Sequence, residues 1–209
     1  MTLSILEDNA IDILCQGDRP MIHPYLHSSV KEVTELKPHE SLEDIVRRKV
    51  LSFGSSSYGY DVRLGREFKI FTNANSVLID PKRFDARALV DAEIHLDVDG
   101  AEYVILPPNS YGLSVTHEYF RMPSDVMCVA LGKSTYARAS IGINVTPVEP
   151  GFEGNVVIEI ANHCSLPVKV YLMEGIAQFL FFRGKPCRTS YADRDGKYQG
   201  QTGITLSRV

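Results

Sequence analysis

The sequence predicts an all-β barrel or sandwich with short helices confined to its N-terminus. Three observations carry that prediction. From Gly54 onward the chain is a succession of short runs rich in Val, Ile, Tyr and Phe. These runs are broken by clusters of Gly, Pro, Asn and Asp, which are the residues of tight turns. The spacing between runs leaves little room for the crossover helices of a parallel α/β fold.

The elements follow in chain order. Residues 3–15 space Ile5, Leu6, Ile11, Ile13 and Leu14 loosely along one helical face. SLEDIVRRK predicts a second short helix, with Ser41 as N-cap and Glu43 and Asp44 in its first turn. The strand candidates are YGYDVRLG, EFKIFTN, SVLIDP, EYVILPPN, YGLSVTHEYF, VMCVALG, IGINVTP, NVVIEIAN, LPVKVYLMEG and IAQFLFF. After Phe182 the apolar pattern stops. The tail YADRDGKYQGQTGITLSRV shows no buried face, so it is either frayed or ordered by a ligand or a neighbouring subunit.

A chain of 209 residues can bury a sizeable core as one domain. Its 44% hydrophobic and 23% charged content is that of an ordinary globular protein. A net charge of -4 argues against nucleic-acid coating, which needs a basic face. No apolar run approaches the roughly 18 residues of a membrane span. The N-terminus carries Glu7, Asp8 and Asp12 but no early Lys or Arg, which argues against a secretory signal and for a cytoplasmic protein. Cys15, Cys128, Cys164 and Cys187 are widely spaced. The apolar neighbours of Cys128 and Cys164 predict buried free thiols. With no CxxC and no His-x-Glu, a zinc site of the common cytidine-deaminase kind has no ligands, and no metal site is expected.

LGKSTYAR, residues 131–138, ends like a phosphate-binding P-loop. A P-loop needs a glycine five residues before its Gly-Lys. Met127 stands there, inside an apolar run, so that reading fails. Lys133, Ser134, Thr135 and Arg138 still have the chemistry of an anion site, with Gly132 allowing close backbone approach. Taken alone, the stretch is equally well a solvated turn after a buried strand. In NVVIEIAN, Glu159 lies among Val and Ile, where a solvated Glu is unexpected. Alternation puts Val157 and Glu159 on one face and Val156, Ile158 and Ile160 on the other, which also permits an outward-facing Glu159.

Longer motifs are more specific. SSSYGYDVR (55–63), PPNSYGLSVTHEYFRMPSD (107–125), the block from GKSTYAR to IAQFLFF and GKYQGQTGITLSR (196–208) occur in one order. In that order they resemble the deoxycytidine triphosphate (dCTP) deaminases of the trimeric deoxyuridine triphosphatase (dUTPase) superfamily. The resemblance covers roughly residues 50–209. It implies a distorted dUTPase-like β-barrel or jelly roll, homotrimeric, as one domain. Within it, 1–50 would be an N-terminal helical extension, 51–190 the barrel core and 191–209 a tail closing over nucleotide.

The resemblance further implies hydrolysis of dCTP to dUTP and ammonia without zinc, the triphosphate travelling with magnesium. Thymidine triphosphate (dTTP) would compete at the same site. A bifunctional relative would carry dCTP through to dUMP and pyrophosphate. Glu159 falls at the general acid/base, Ser134 at a residue positioning the attacking water and Arg138 at an essential arginine. A backbone carbonyl in Val145-Thr146-Pro147 would accept from that water. The nucleotide-binding set comprises Lys133, Ser134, Thr135, Tyr136, Ala137 and Arg138, then Val157, Ile158 and Glu159, then Gln178, and Tyr191, Lys197 and Gln201 of the tail. Phe152 and Tyr191 are both candidates for the ring that excludes a 2′-hydroxyl.

Two departures stand out. Ser140 replaces the usual glycine two residues after the essential Arg. Glu149 stands where many relatives carry Asp, and its longer side chain moves the carboxylate by about 1.5 Å, which favours deamination alone.

Overall fold

The computed structural model describes residues 4–36 and 45–209. In chain order its elements are β1 (Ser4–Ile5), α1 (Asp8–Leu14), β2 (Ile22–His23), β3 (Val30–Leu36), β4 (Ile45–Ser55), β5 (Tyr60–Phe71), β6 (Leu89–Asp91), β7 (His95–Leu96), β8 (Glu102–Leu106), β9 (Tyr111–Arg121), β10 (Val126–Gly132), α2 (Ser134–Arg138), β11 (Ile141–Asn144), β12 (Glu153–Asn162), β13 (Val168–Tyr171) and β14 (Gly175–Arg183). No described helix is long and apolar enough to cross a membrane.

One large sheet runs β1-β14-β5-β9-β12-β11, with β10 on β14 and β4 and β6 on β5; β13, β8 and β7 form a small second sheet. All named strand pairs are antiparallel; β3–β4, β4–β5, β5–β6, β7–β8 and β11–β12 join consecutive strands, and the other pairs join strands distant in the chain. The curl of the large sheet comes from β5. Its first residues, Tyr60–Arg63, pair with β14, whereas Leu64 and Phe68–Ile70 pair with β9. The register breaks between Leu64 and Phe68, around Gly65, where a Cβ would stand 3.1 Å from the Val115 carbonyl oxygen. A bulge at a residue without a side chain bends the strand and closes the sheet around the core.

That core is the inward face of the alternating strands. Tyr60, Val62, Leu64, Phe120, Ile158, Ile160, Phe179 and Phe181 are fully buried. Phe120 and Phe179 stack with centroids 5.2 Å apart. Strand β12 is the clearest case: Val156, Ile158, Ile160 and Asn162 point in, and Val157, Glu159 and Ala161 lie half-buried on the other face. The buried Asn162 amide donates to three backbone carbonyls, those of Leu106, Pro107 and Leu166. Its oxygen accepts from Cys164 N, so no polar group there lacks a partner.

The structure corrects several sequence expectations. The helix read in SLEDIVRRK is absent from its described part: Ile45–Ser55 is a strand paired with β3. Tertiary partners override the local pattern there. Glu174, distant in sequence, accepts from Arg48 Nη1 at 2.5 Å and from Leu51 N at 2.7 Å. Ser41, Glu43 and Asp44 lie outside the described residues. Among its described residues the N-terminal extension is therefore helical only over Asp8–Leu14, and Ser4–Ile5 pairs with β14 instead of starting that helix. YGYDVRLG and EFKIFTN fuse into the single strand β5. SVLIDP is no strand; Val77, Leu78 and Ile79 are exposed. Cys128 is buried as expected, but Cys164 is only half-buried.

Ser140 supplies a stability prediction. It follows α2 with φ of 61°, the left-handed region that favours glycine after a helix. An L-residue there costs roughly 1–2 kcal/mol, partly offset by the greater unfolded-state freedom of glycine. Ser140→Gly should raise Tm by about 1–3 °C in calorimetry. A lower Tm would show that the serine hydroxyl contributes more than the strain removes.

Candidate active site

Glu159 sits mid-strand between two neighbours. It pairs with Leu113 of β9 on one side and with Asn144, the last residue of β11, on the other. Its outward face forms the floor of a cleft of about 610 Å³. Aromatic rings wall that cleft: Phe71, Phe84, Tyr111, Phe152, Tyr191 and Tyr198. Phe71 meets both Phe84 and Tyr111 edge-on, and Phe152 meets Tyr191 edge-on at 5.7 Å. Phe152 and Tyr191 thus form one wall together.

Burial in this cleft holds the Glu159 carboxyl above the usual carboxylate range, opposed by a hydrogen bond from Asn144 Nδ2 to Oε2 at 2.6 Å. The Tyr111 phenol is raised by burial and by the charge of Glu159. Thr146 and Pro147 also line the cleft, directly after β11, so two residues of the predicted water-accepting segment stand beside Glu159's pocket.

The tail is not a loose polar end. Tyr191 and Tyr198 pack against the core. Gly200 N donates to Glu153 O at 2.7 Å, Asn155 N to Gln201 O at 3.0 Å, and Gln201 Nε2 to Asn155 O at 2.6 Å. Ser207 Oγ reaches Pro81 O at 2.7 Å. Gln201, Thr205 and Ser207 accordingly form part of the cleft wall, while Lys197 is exposed and does not line it. Glu149 lines the cleft too, and its carboxylate is ion-paired with Arg194 of the tail.

The predicted site residues fall into two groups. Val157, Glu159, Tyr191 and Gln201 line the cleft. Lys133, Ser134, Thr135, Tyr136, Ala137, Arg138 and Gln178 do not. Ser134, Thr135, Ala137 and Arg138 form an exposed ribbon around the buried Tyr136, whose hydroxyl accepts from Tyr171 N at 2.8 Å. The side chains of Tyr136 and Ile158 are core, so only their backbones are open to a ligand. Arg138 Nη1 donates to Ser134 O at 3.1 Å. Gln178 is the cross-strand partner of both Leu131 and Asp61. Lys133 Nζ binds Asp61 Oδ2 at 2.5 Å and Ser52 Oγ at 3.1 Å, with both charged side chains largely buried. Its charge is already matched within the chain, which weakens its case as a free phosphate clamp. Exposed Met127 and Leu131 flank this group.

A dCTP deaminase-like family model matches residues 29–184. The chain belongs to this family. It is 52% identical over 178 residues to dCTP deaminases of Xanthomonas oryzae pv. oryzae (strain PXO99A) and of Xanthomonas campestris pv. campestris (strain B100); these matches span 85% of this chain and 90% of each relative. Among solved structures, the fold is similar to a 2′-deoxycytidine 5′-triphosphate deaminase from Agrobacterium tumefaciens, with a TM-score of 0.55 at 19% identity. That match covers 88% of this chain and 49% of the longer solved chain. The mainly β fold expected from the sequence is the observed fold, and it is similar to that of a solved dCTP deaminase.

Sequence reasoning missed several contributors to this site, among them Asn144, Phe71, Phe84, Tyr111 and Tyr198. Asn144 ends IGIN, and nothing local marks it as the partner of a Glu fifteen residues on. Phe71 and Phe84 come from either side of a long loop, and Tyr198 resembles any tail tyrosine. The shared register of β9, β11 and β12 reveals Asn144, and pairing register is invisible in one sequence.

Proposed function

We propose that this protein hydrolyses dCTP to dUTP and ammonia, and so feeds the dephosphorylation that yields dUMP for thymidylate synthesis. The observation that carries the reading is Glu159: a half-buried carboxyl of raised pKa in an aromatic cleft, in a chain half-identical to curated dCTP deaminases. Deamination adds water at C4, protonates N3 and expels ammonia. One carboxyl of raised pKa can take a proton from the attacking water and give it to N3, then take the proton of the new C4 hydroxyl and deliver it to the leaving amine as the C4 carbonyl forms. The protons balance with no further acid.

Ser134 and Arg138 orient water and base in this reading, yet they lie outside the cleft of their own chain. Supply from a neighbouring subunit reconciles the two, and the exposed α2 ribbon beside Met127 and Leu131 supports a homotrimer with shared sites. Gln178 and backbone groups of 132–135 then meet the triphosphate and its magnesium, with Tyr191, Lys197 and Gln201 closing above the nucleotide. Phe152 and Tyr191 pack under the deoxyribose. dTTP occupies the same pocket as an inhibitor, its base differing from uracil by one methyl group.

Product analysis tests the proposal. Incubated with dCTP and magnesium after removal of zinc, the enzyme should release ammonia and dUTP in equal amounts and no pyrophosphate. The Arg194 ion pair supports this outcome, because it draws the Glu149 carboxylate away from activating a second water. No ammonia, or strict dependence on zinc, sinks the proposal. Pyrophosphate in step with ammonia replaces it with the bifunctional reaction to dUMP.

A further inference from the structure

Asn144 has no role in the chemistry above, yet its amide makes the one hydrogen bond to the Glu159 carboxylate among the described residues. The contact is built in by register. Asn144 is the cross-strand partner of Glu159 at the end of β11, so the two side chains project from the same face of adjacent strands. An ionised carboxylate only accepts, so the group facing it must be the Asn144 NH2. That amide meets Oε2 at 2.6 Å, while Oε1 has no hydrogen-bond partner among the described residues, in a side chain that lines the cleft.

We propose that Asn144 is a positioning residue that fixes which oxygen of Glu159 carries the shuttled proton: by occupying Oε2 with a donor, it reserves Oε1 for water and substrate. The assignment rests on the deaminase reading of the cleft. A neutral carboxyl whose proton sat on Oε2 would point a hydrogen at the Asn144 NH2, donor against donor. The neutral form therefore carries its proton on Oε1, where N3 and the leaving amine can reach it. Without Asn144 the proton divides between both oxygens, and the ionised form loses its one hydrogen bond from the described residues.

The sign follows directly. A bond to the charged form lowers a carboxyl pKa, so its loss raises the pKa that burial has already lifted. The other titratable groups around Glu159 are Tyr111 from β9, Glu149 with its partner Arg194, and Tyr191 and Tyr198 from the tail. Glu149→Gln removes the second carboxyl lining the cleft and serves as the background for the titration.

The test reads Glu159 directly, by 13C NMR of side-chain-labelled glutamate assigned through Glu159→Gln. Asn144→Ala should raise the Glu159 midpoint by about one pH unit. Asn144→Asp, which sets a second carboxyl against the first, should raise it further and give coupled titration. Asn144→Gln keeps an amide donor and should stay near wild type. In steady state, Asn144→Ala should lower kcat roughly 10- to 100-fold with KM changed less than threefold, and its acid limb should move up with the NMR midpoint. An unmoved midpoint in Asn144→Ala overturns the proposal. So does a lower kcat with an unshifted pH profile, which is the mark of a merely structural side chain. If the protein does not deaminate dCTP, the NMR titration still reports whether the pair exists, so the two failures are distinguishable.

Discussion

Glu159→Gln should abolish turnover while leaving the fold and dCTP binding intact. General acid/base catalysis contributes typically 10²–10⁴-fold, and here one carboxyl handles every proton, so a loss of roughly 10³-fold or more is expected. The substitution is nearly isosteric, and a Gln amide oxygen can accept from Asn144 in place of Oε2. Wild-type activity should itself fall as pH drops through the raised Glu159 pKa, because only the ionised form can take a proton from water. The stability consequence has the opposite sign. A carboxyl whose folded pKa is raised contributes stability below its unfolded pKa and loses it as pH rises through the folded pKa. At pH 8 the wild type therefore carries the cost of a half-buried carboxylate, which Gln lacks. Glu159→Gln should unfold at the same or higher temperature there, and the difference should close near pH 4. Rate measurements with thermal unfolding at both pH values check this. A variant within tenfold of the wild-type rate removes Glu159 from the chemistry; an inactive variant with a collapsed Tm reduces the result to misfolding.

What the sequence made legible was whatever depends on local periodicity. NVVIEIAN alternates, and β12 alternates in burial as that pattern requires. SVLIDP failed for the same reason: three successive apolar residues contain no alternation, and Val77–Ile79 lie exposed on a loop. SLEDIVRRK was read as helix because Ser41 offers an N-cap and Glu43 and Asp44 fall in a first turn, whereas Glu174, 126 residues beyond Arg48, holds its described part as a strand. The site was legible as a set of residue types. Its division was not, because whether Arg138 and Glu159 share one chain's cleft depends on the curl of the sheet, and the bulge at Gly65 that sets the curl has no distinct sequence signature. The docking of the tail on its own chain was not legible, because two tyrosines and a backbone bridge to Gly154 hold it, rather than an apolar stripe.

The largest loss of stability should come from splitting the Arg63–Glu118 pair. Glu118 has no exposed side-chain surface, and Arg63 is 13% exposed. Arg63 donates from Nε to Oε1 at 2.7 Å and from its backbone N to Oε2 at 2.9 Å, and its guanidinium lies 5.0 Å from the Phe53 ring centroid. Even so, complete burial pushes the Glu118 carboxyl up against the pull of Arg63. Removing one partner of such a pair costs roughly 3–5 kcal/mol, because the other charge stays buried and unmatched. Glu118→Leu should therefore lower Tm by roughly 6–20 °C, since each kcal/mol shifts a domain of this size by roughly 2–4 °C. Arg63→Met should behave differently, because arginine cannot discard its charge but glutamate can. With Arg63 gone, the folded pKa of Glu118 rises further, so stability is retained at low pH and lost as pH rises through that value. The loss in Arg63→Met should be clearly smaller at pH 5 than at pH 8. Burial, with Arg63 and Arg66, lowers the pKa of neighbouring His117 to about 4, and Arg63→Met relieves part of that, so the pH comparison is made in a His117→Gln background. The double variant Arg63→Met/Glu118→Leu removes both charges and should recover much of either single loss. Unfolding of all four proteins at one fixed concentration measures the coupling, because assembly would otherwise shift Tm by mass action. Simple addition of the two losses, with no pH dependence in Arg63→Met, would mean that packing around Phe53, and not the charge pair, is what this part of the core depends on.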